Sequence, residues 1–546
     1  MSDTKKISIW AALIALVITA LYGQFLYNPI VFDDLYFFLQ DAEGHSAIAK
    51  FASLSMGDLR GLPNATLAWT AEIFGFGLPP FRIGNFLLHF FVAIGLAFFL
   101  SRLYQVVLHK GVEVGGECTG RLVAVLIAVS LFALHPLTVY AVGYLVQRTI
   151  VMATLFSVLA LWAYLHGHEK RNTIWLWGSV GLYFLATHSK EHVIILPVIV
   201  VAMVVLVSPD WRVHLRKQWP IFAGYAAVAL LTLVEAWGVL SHAYEINADE
   251  MLANVSASAG QESAVVPTLL LSILTQSYLF FKYLFLWVLP SPAWQSVDMR
   301  EPFAHGFFSI YGVALLAYLA YGIVALRLLF RRAQLGVIGF AMLFPWLLFM
   351  TEFSTVRIQE VFVLYRSYVW AIGGVIILPL LLMKFNGRLA MLLSVLFAGV
   401  LFMLSMERLA TFSHPVLLWD DAEKLVTDRQ SLPGVDRIYY NRGTALLKAE
   451  MFDRALVDLQ TAVKLNPKWP EPVANLGLTY SKIGQNELAV QSFSQAIALA
   501  QKYKGQERAK YYSGRAAAYE ALGKSREAAA DYQMVCRITG RECDKF

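Results

Sequence analysis

From residue 7 to about residue 406, apolar positions gather in blocks of roughly twenty separated by short polar stretches, the length a helix needs to cross some 30 Å of hydrocarbon. Blocks near 8–27, 83–104, 121–135, 148–166, 173–187, 191–207, 219–240, 307–327, 335–350, 367–384 and 389–406 predict eleven membrane-spanning helices. The first follows Lys5 and Lys6 and lacks a small-residue cleavage site, so it reads as a retained span and not a removed leader. One further apolar stretch, 268–289, carries Ser272, Thr275, Gln276, Ser277 and Lys282 and is read as a helix lying at the interface.

Charge supports that assignment. With 268–289 at the interface, Lys5 and Lys6, Lys110 with Arg121, Lys170 with Arg171, Arg212 with Arg216 and Lys217, Arg327 with Arg331 and Arg332, and Lys384 with Arg388 all fall on one side. The positive-inside rule makes that side cytoplasmic. The opposite face then receives the long loop 28–82, the stretch 135–148, the break at 188–191, the loop 241–267 and the stretch 352–366. Composition agrees: 58% hydrophobic and 15% charged residues exclude one water-soluble core of this length. The net charge of +6 resides in the loop clusters, so no nucleic-acid groove is implied.

Near residue 410 the chain turns soluble and repetitive. Gly443, Ala455, Ala462 and Pro467 have the spacing of a tetratricopeptide repeat, and Gly477, Ala489, Phe493 and Ala496 follow 34 residues on. A third copy carries Ala516, Tyr519, Ala528 and Tyr532, giving repeats at about 436–469, 470–503 and 509–542. Three copies suffice for a stable stack, and such arrays mostly bind polypeptides. The chain is thus read as all-α, with a membrane domain over 1–409 and a repeat domain over 410–546 on the outer face. Gly540 between Cys536 and Cys543 can end a helix and fold the chain back, which leaves a disulfide open between them; Cys118 is read as a free thiol.

Acids and bases mix on the predicted outer face: Asp33 and Asp34; Arg60; Arg82 and His89; His135 and Arg148; Lys190 and Glu191; Gln276; Arg366. An ionisable group at a membrane boundary is costly, and so marks a functional candidate. The mixture suits transfer of a sugar from a lipid-linked phosphate to a hydroxyl, in which a carboxylate takes the hydroxyl proton while Arg and Lys stabilise charge growing on the phosphate. Asp33 and Asp34 lack a third partner for a metal site, so no cation is expected to be required.

FDDLYFF after the first span, RIGNFLLHFF, LFALHPLTVYAVGYLVQR, SKEHVIILP, LYRSYVW and the C-terminal repeats together resemble the GT-C glycosyltransferases, in particular the transmembrane and tetratricopeptide-repeat O-mannosyltransferases. The resemblance covers nearly the whole chain. It implies a polyprenyl-phosphate sugar donor, a base in the first external loop, and transfer at the outer face. By position it makes Asp33 the base, Asp34 its partner or a group that orients the acceptor, and Arg148, Lys190 and Arg366 candidates for holding the donor phosphate; Arg60, Arg82, His89, His135, Glu191 and Gln276 on the same face are candidate substrate contacts. Tyr140 stands where relatives often have an acid, and the loop 241–267 is short beside the insert of some relatives. The resemblance also implies an integral protein of the bacterial inner membrane, with a periplasmic array that recruits a protein acceptor. An oligosaccharide ligase using a lipid pyrophosphate or a glycan acceptor, and a non-enzymatic scaffold or transporter, are the alternatives.

Overall fold

The computed structural model describes residues 3–38, 46–53, 57–108, 120–241, 267–503 and 508–540, with side chains 238–241 left aside. Cys118, Cys543 and nearly all of the loop 241–267 lie outside them. The described residues are helical throughout, without a β-strand. They divide into two compact units: one takes in the chain up to His414 apart from Ser296–Pro302, and the other is Ser296–Pro302 with the chain from Pro415 onwards.

The first unit contains α1 (Asp3–Gly23), α2 (Asp34–Phe38), α3 (Gly61–Phe74), α4 (Leu78–Leu108), α5 (Arg121–Ala133), α6 (Val139–Val142), α7 (Arg148–Lys170), α8 (Thr173–Ser189), α9 (Leu196–Val207), α10 (Trp211–Lys217), α11 (Trp219–Ser241), α12 (Thr268–Val288), α13 (Ile310–Arg331), α14 (Ala333–Phe349), α15 (Ser367–Trp370), α16 (Ile372–Leu382) and α17 (Gly387–Thr411). Close helix approach is bought with glycine, as membrane packing requires. A Cβ on Gly339 would stand 2.3 Å from the Leu329 amide of α13, and one on Gly373 would stand 2.4 Å from the Ala341 carbonyl of α14.

Among the described residues eight helices have the length and apolar composition of a crossing, or ten if two pairs each bent by 53° count as single spans. The expected eleven differ from these ten in counting α8 and α9 and in leaving out α12. α8 and α9 have 17 and 12 residues, and α12, expected at the interface, has 21 and an apolar composition. The polar residues of α12 face protein. Ser272, Gln276, Tyr283 and Trp287 recur on one helical face. Ser272 Oγ accepts from the Arg357 amide (3.3 Å), Gln276 donates to the Val361 carbonyl (2.8 Å), Tyr283 bonds both polar groups of Val363 (2.8 and 2.9 Å), and Trp287 donates to Ser367 Oγ (3.0 Å). The segment 357–367 thus supplies partners along this face of the helix.

The second unit adds α18 (Pro415–Glu423), α19 (Val435–Lys448), α20 (Phe452–Leu465), α21 (Pro470–Lys482), α22 (Asn486–Lys502), α23 (Ala509–Ala521) and α24 (Ser525–Thr539). From α19 on these are three helical hairpins at the expected positions. Gly443 admits Leu459 and Gly477 admits Phe493 within about 3 Å of where a Cβ would sit, the close approach that the repeat spacing implied. Arg442 holds Asp458 through two hydrogen bonds (2.7 and 2.9 Å), and Arg515 holds Asp531 in the same way (2.8 and 2.7 Å). Cys536 is disulfide-bonded.

Candidate active site

The chain leaves α1 and turns at Val31–Asp34, where the Asp34 amide donates to the Val31 carbonyl (3.1 Å). Phe32 has φ +55°, a left-handed conformation in which a bulky side chain is strained. The two acids then part company. Asp34 is fully buried, and its carboxylate accepts the amides of Val146 (2.8 Å) and Leu145 (3.2 Å). Burial pushes its carboxyl up to about 7, against the pull of those amides and of Arg82. Asp33 is exposed, and its amide donates to the Tyr144 hydroxyl (2.7 Å).

The 142–148 turn beneath these acids is fastened from α4. Arg82 donates to the carbonyls of Asn28 (2.6 and 3.1 Å), Pro29 (2.9 Å) and Gly143 (2.9 Å), so it ties the end of the first helical segment to this turn. Asn85 donates to the Val142 and Leu145 carbonyls (3.3 and 3.2 Å) and accepts from Arg148 Nε (2.7 Å). The other Arg148 nitrogens donate to Thr66 Oγ1 (3.2 Å) and the Phe81 carbonyl (2.9 Å). Arg148, expected at the donor phosphate, is buried, with oxygen partners on α3 and α4.

A second group of charges comes from the 188–192 break and the 352–366 segment. Arg60 donates through Nε and Nη2 to Glu191, with Nε at 3.1 Å from Oε2. His192 lies 3.4 Å from both Glu191 and Glu352, and Glu352 also meets Arg357 (3.1 Å) and Arg366 (2.9 Å). Arg366 reaches Glu360 at 3.8 Å. Lys190 differs. It is buried, its ammonium lies 5.6 Å from the centre of the Tyr365 ring, and among the described residues no carboxylate lies within ion-pair distance of it. Burial, with Arg60 adding repulsion, pushes Lys190 down to about 7.

The two groups meet through aromatic rings. Tyr144, which holds Asp33, packs edge-on against Tyr365 with centroids 6.3 Å apart, and Tyr365 carries Lys190. On the other side Ser367 lines an apolar cavity of about 660 Å³, which runs between α5, α12, α14, α16 and α17 past Phe132, Trp287, Pro345, Gly374 and Phe397. His135 lines the same cavity and stacks on Trp287 at 4.3 Å. Tyr365, Arg366 and Ser367 thus address, in three consecutive residues, the acid turn, the charge cluster and the apolar cavity.

Of the residues singled out in the sequence, Asp33, Asp34, Arg60, Lys190, Glu191 and Arg366 fall in or beside this arrangement. Arg82 and Arg148 brace it from behind. His89 lies inside the helices, bonded to the Tyr368 hydroxyl (2.6 Å) and the Ala133 carbonyl (2.9 Å), and Gln276 holds the Val361 carbonyl. Sequence reasoning missed Tyr144, His192 and Tyr365 as site residues, although all three stand inside the quoted motifs VGYLVQR, SKEHVIILP and LYRSYVW. Among the described residues no group of three or more His, Cys, Asp or Glu side chains is placed to hold a metal ion.

Comparison with known proteins bears on both units. Residues 112–237 match the family described as dolichyl-phosphate-mannose-protein mannosyltransferase, and residues 436–468 and 471–503 match the tetratricopeptide repeat. No curated protein matches the chain. Among solved structures, two of MamA are 20% and 21% identical, cover 27% and 28% of this chain and 77% and 82% of their own, and have a TM-score of 0.21. A structure of the APC/C hetero-tetramer Cut9–Hcn1 is 13% identical, with coverage of 100% of this chain and 95% of that one, and a TM-score of 0.20. Those scores are too low to carry an argument about the fold or the site. The family matches say what parts of the chain are like: residues 112–237 of the membrane unit are similar to the dolichyl-phosphate-mannose-protein mannosyltransferase family, and the C-terminal helical hairpins include two tetratricopeptide repeats.

Proposed function

We propose that this protein transfers a single sugar from a polyprenyl-phosphate donor to a hydroxyl of a protein acceptor, with Asp33 as general base. The reading rests on one geometric fact: residues 365–367 join the exposed acid turn, the cation cluster and a lipid-sized apolar cavity. The prenyl tail lies in the cavity and its phosphate comes to Lys190 and Arg366. Asp33 takes the proton of the acceptor hydroxyl as its oxygen attacks the anomeric carbon. The bond from that carbon to the phosphate oxygen breaks, and the lipid phosphate leaves with the electron pair, stabilised by the two cations. One displacement inverts the anomeric centre, and no metal ion is required.

Asp34 acts behind Asp33: its carboxylate pins the turn to residues 145–146. Arg60 and Glu191 border the acceptor side, whereas Arg82, Arg148 and Gln276 hold backbone in place. The site is proposed on the periplasmic face of a bacterial inner membrane, with a cytoplasmic N-terminus and a periplasmic array that presents the acceptor. The disulfide at Cys536 supports an oxidising compartment for the array.

The test is mass spectrometry of envelope and secreted proteins from cells lacking the chain, complemented with wild type or Asp33→Asn. A hexose- or pentose-sized mass present only with wild type is the expected result. An unchanged protein profile would overturn the protein-acceptor reading.

A further inference from the structure

The turn that presents Asp33 is strained at Phe32 (φ +55°), a cost of order 1–3 kcal/mol for a bulky residue. Such a conformation persists only where its surroundings hold it. Beside the local backbone bonds of the turn, three hydrogen bonds to one distant tripeptide hold it: Asp34 accepts the amides of Leu145 and Val146, and the Asp33 amide donates to the Tyr144 hydroxyl at 2.7 Å. The first two fix residue 34. The third grips residue 33, whose carbonyl also accepts the Tyr36 amide within the turn (3.1 Å). Tyr144 is buried, its ring lies 6.1 Å from that of Phe32, and its edge meets Tyr365, the residue that carries Lys190. Its hydroxyl is therefore set by the wall of the donor site and in turn sets the direction of Asp33.

We propose that Tyr144 is a positioning residue: its hydroxyl holds the strained backbone at Phe32–Asp33 so that the Asp33 carboxylate faces the donor side. The inference rests on the reading of Asp33 as base. It differs from a packing role in that a chain needing no help to adopt φ +55° should not need the hydroxyl. Glycine is such a residue.

The experiment compares wild type, Tyr144→Phe, Tyr144→Phe with Phe32→Gly, and Asp33→Asn, each as the full chain. In nanodiscs, hydrogen–deuterium exchange follows the peptide containing the Asp33 amide. In cells, occupancy of the acceptor mass defined by wild type is followed over time. Tyr144→Phe is expected to speed exchange of that peptide at least tenfold and to slow modification at least tenfold. Adding Phe32→Gly should recover at least fivefold of the modification rate while exchange stays fast. Wild-type modification in Tyr144→Phe, or a loss that Phe32→Gly does not relieve, would overturn the inference while an inactive Asp33→Asn leaves the base assignment standing. An active Asp33→Asn would overturn the base assignment itself. If Tyr144→Phe does not accumulate, the double variant decides on the same readouts: rapid exchange with substantial modification supports the role, and a folded but inactive protein overturns it.

Discussion

Lys190 and Tyr365 form a cation–π pair, with the ammonium 5.6 Å from the ring centre, and among the described residues no carboxylate neutralises that ammonium. Arg60, Arg357 and Arg366 all have glutamate partners. Under the proposed reading Lys190, without a glutamate at ion-pair distance among the described residues, meets the donor phosphate. Lys190→Gln is expected to raise the KM for the lipid donor at least tenfold with a smaller change in kcat. An unchanged KM in a folded variant would move the phosphate elsewhere.

The same lysine gives a pH dependence. Its folded value of about 7 lies below the usual lysine value, so the folded protein binds fewer protons than the unfolded chain from about pH 7 to the ordinary lysine range. The contribution of Lys190 to stability accordingly improves as pH rises through that window. Phosphate binding runs the other way, because it needs the charged form. Donor KM should rise as pH climbs above about 7, and Lys190→Arg, which stays charged, should flatten that rise.

Asp33 and Asp34 should separate by mutation. Asp33→Asn removes the proposed base, and a loss of 10²–10⁴ in kcat is the general scale for such a group. Asp34→Asn keeps an oxygen for one of the two amides at 145–146 but leaves the other unmet, so a loss of about tenfold with weaker folding is expected. Steady-state rates and thermal unfolding of the two variants check this, and equal losses would contradict the division of labour. For Asp34, whose folded value of about 7 exceeds the ordinary carboxyl value, the folded state binds more protons from about pH 4 to 7. Its contribution to stability therefore falls as pH rises across that range.

Arg148→Lys tests the brace. A lysine cannot reach Asn85, Thr66 and the Phe81 carbonyl together, and a loss of about 2–3 kcal/mol of stability is expected with donor KM unchanged. Unfolding in detergent against donor titration distinguishes this from phosphate binding, which would raise KM in a stable protein.

The cavity can be closed without touching the charges. Gly374 lines it, and a Cβ there meets nothing within 4 Å. Gly374→Phe should fill part of the cavity and raise KM for a long-chain prenyl donor more than for a short-chain one. Equal effects on both would place the tail outside it.

Hydropathy alone determined that this is an all-helical membrane protein, because apolar blocks long enough to cross a bilayer leave a helix no other way to satisfy its backbone. The 34-residue spacing determined the repeats, since Gly443 and Gly477 mark where one helix must admit the side chain of the next. The acids and cations were legible as types, being too costly at a membrane boundary to pass unnoticed. Their directions were not. Asp33 and Asp34 are neighbours in the chain, yet one turns out and one turns in because residues 144–146, about 110 positions away, supply a hydroxyl and two amides. Arg148 and Lys190 look alike as buried cations, but only the packing of α3 and α4 decides that the first has oxygen partners and the second meets a ring. Partners that satisfy a polar group from distant segments exist only once the tertiary structure brings them within hydrogen-bond reach.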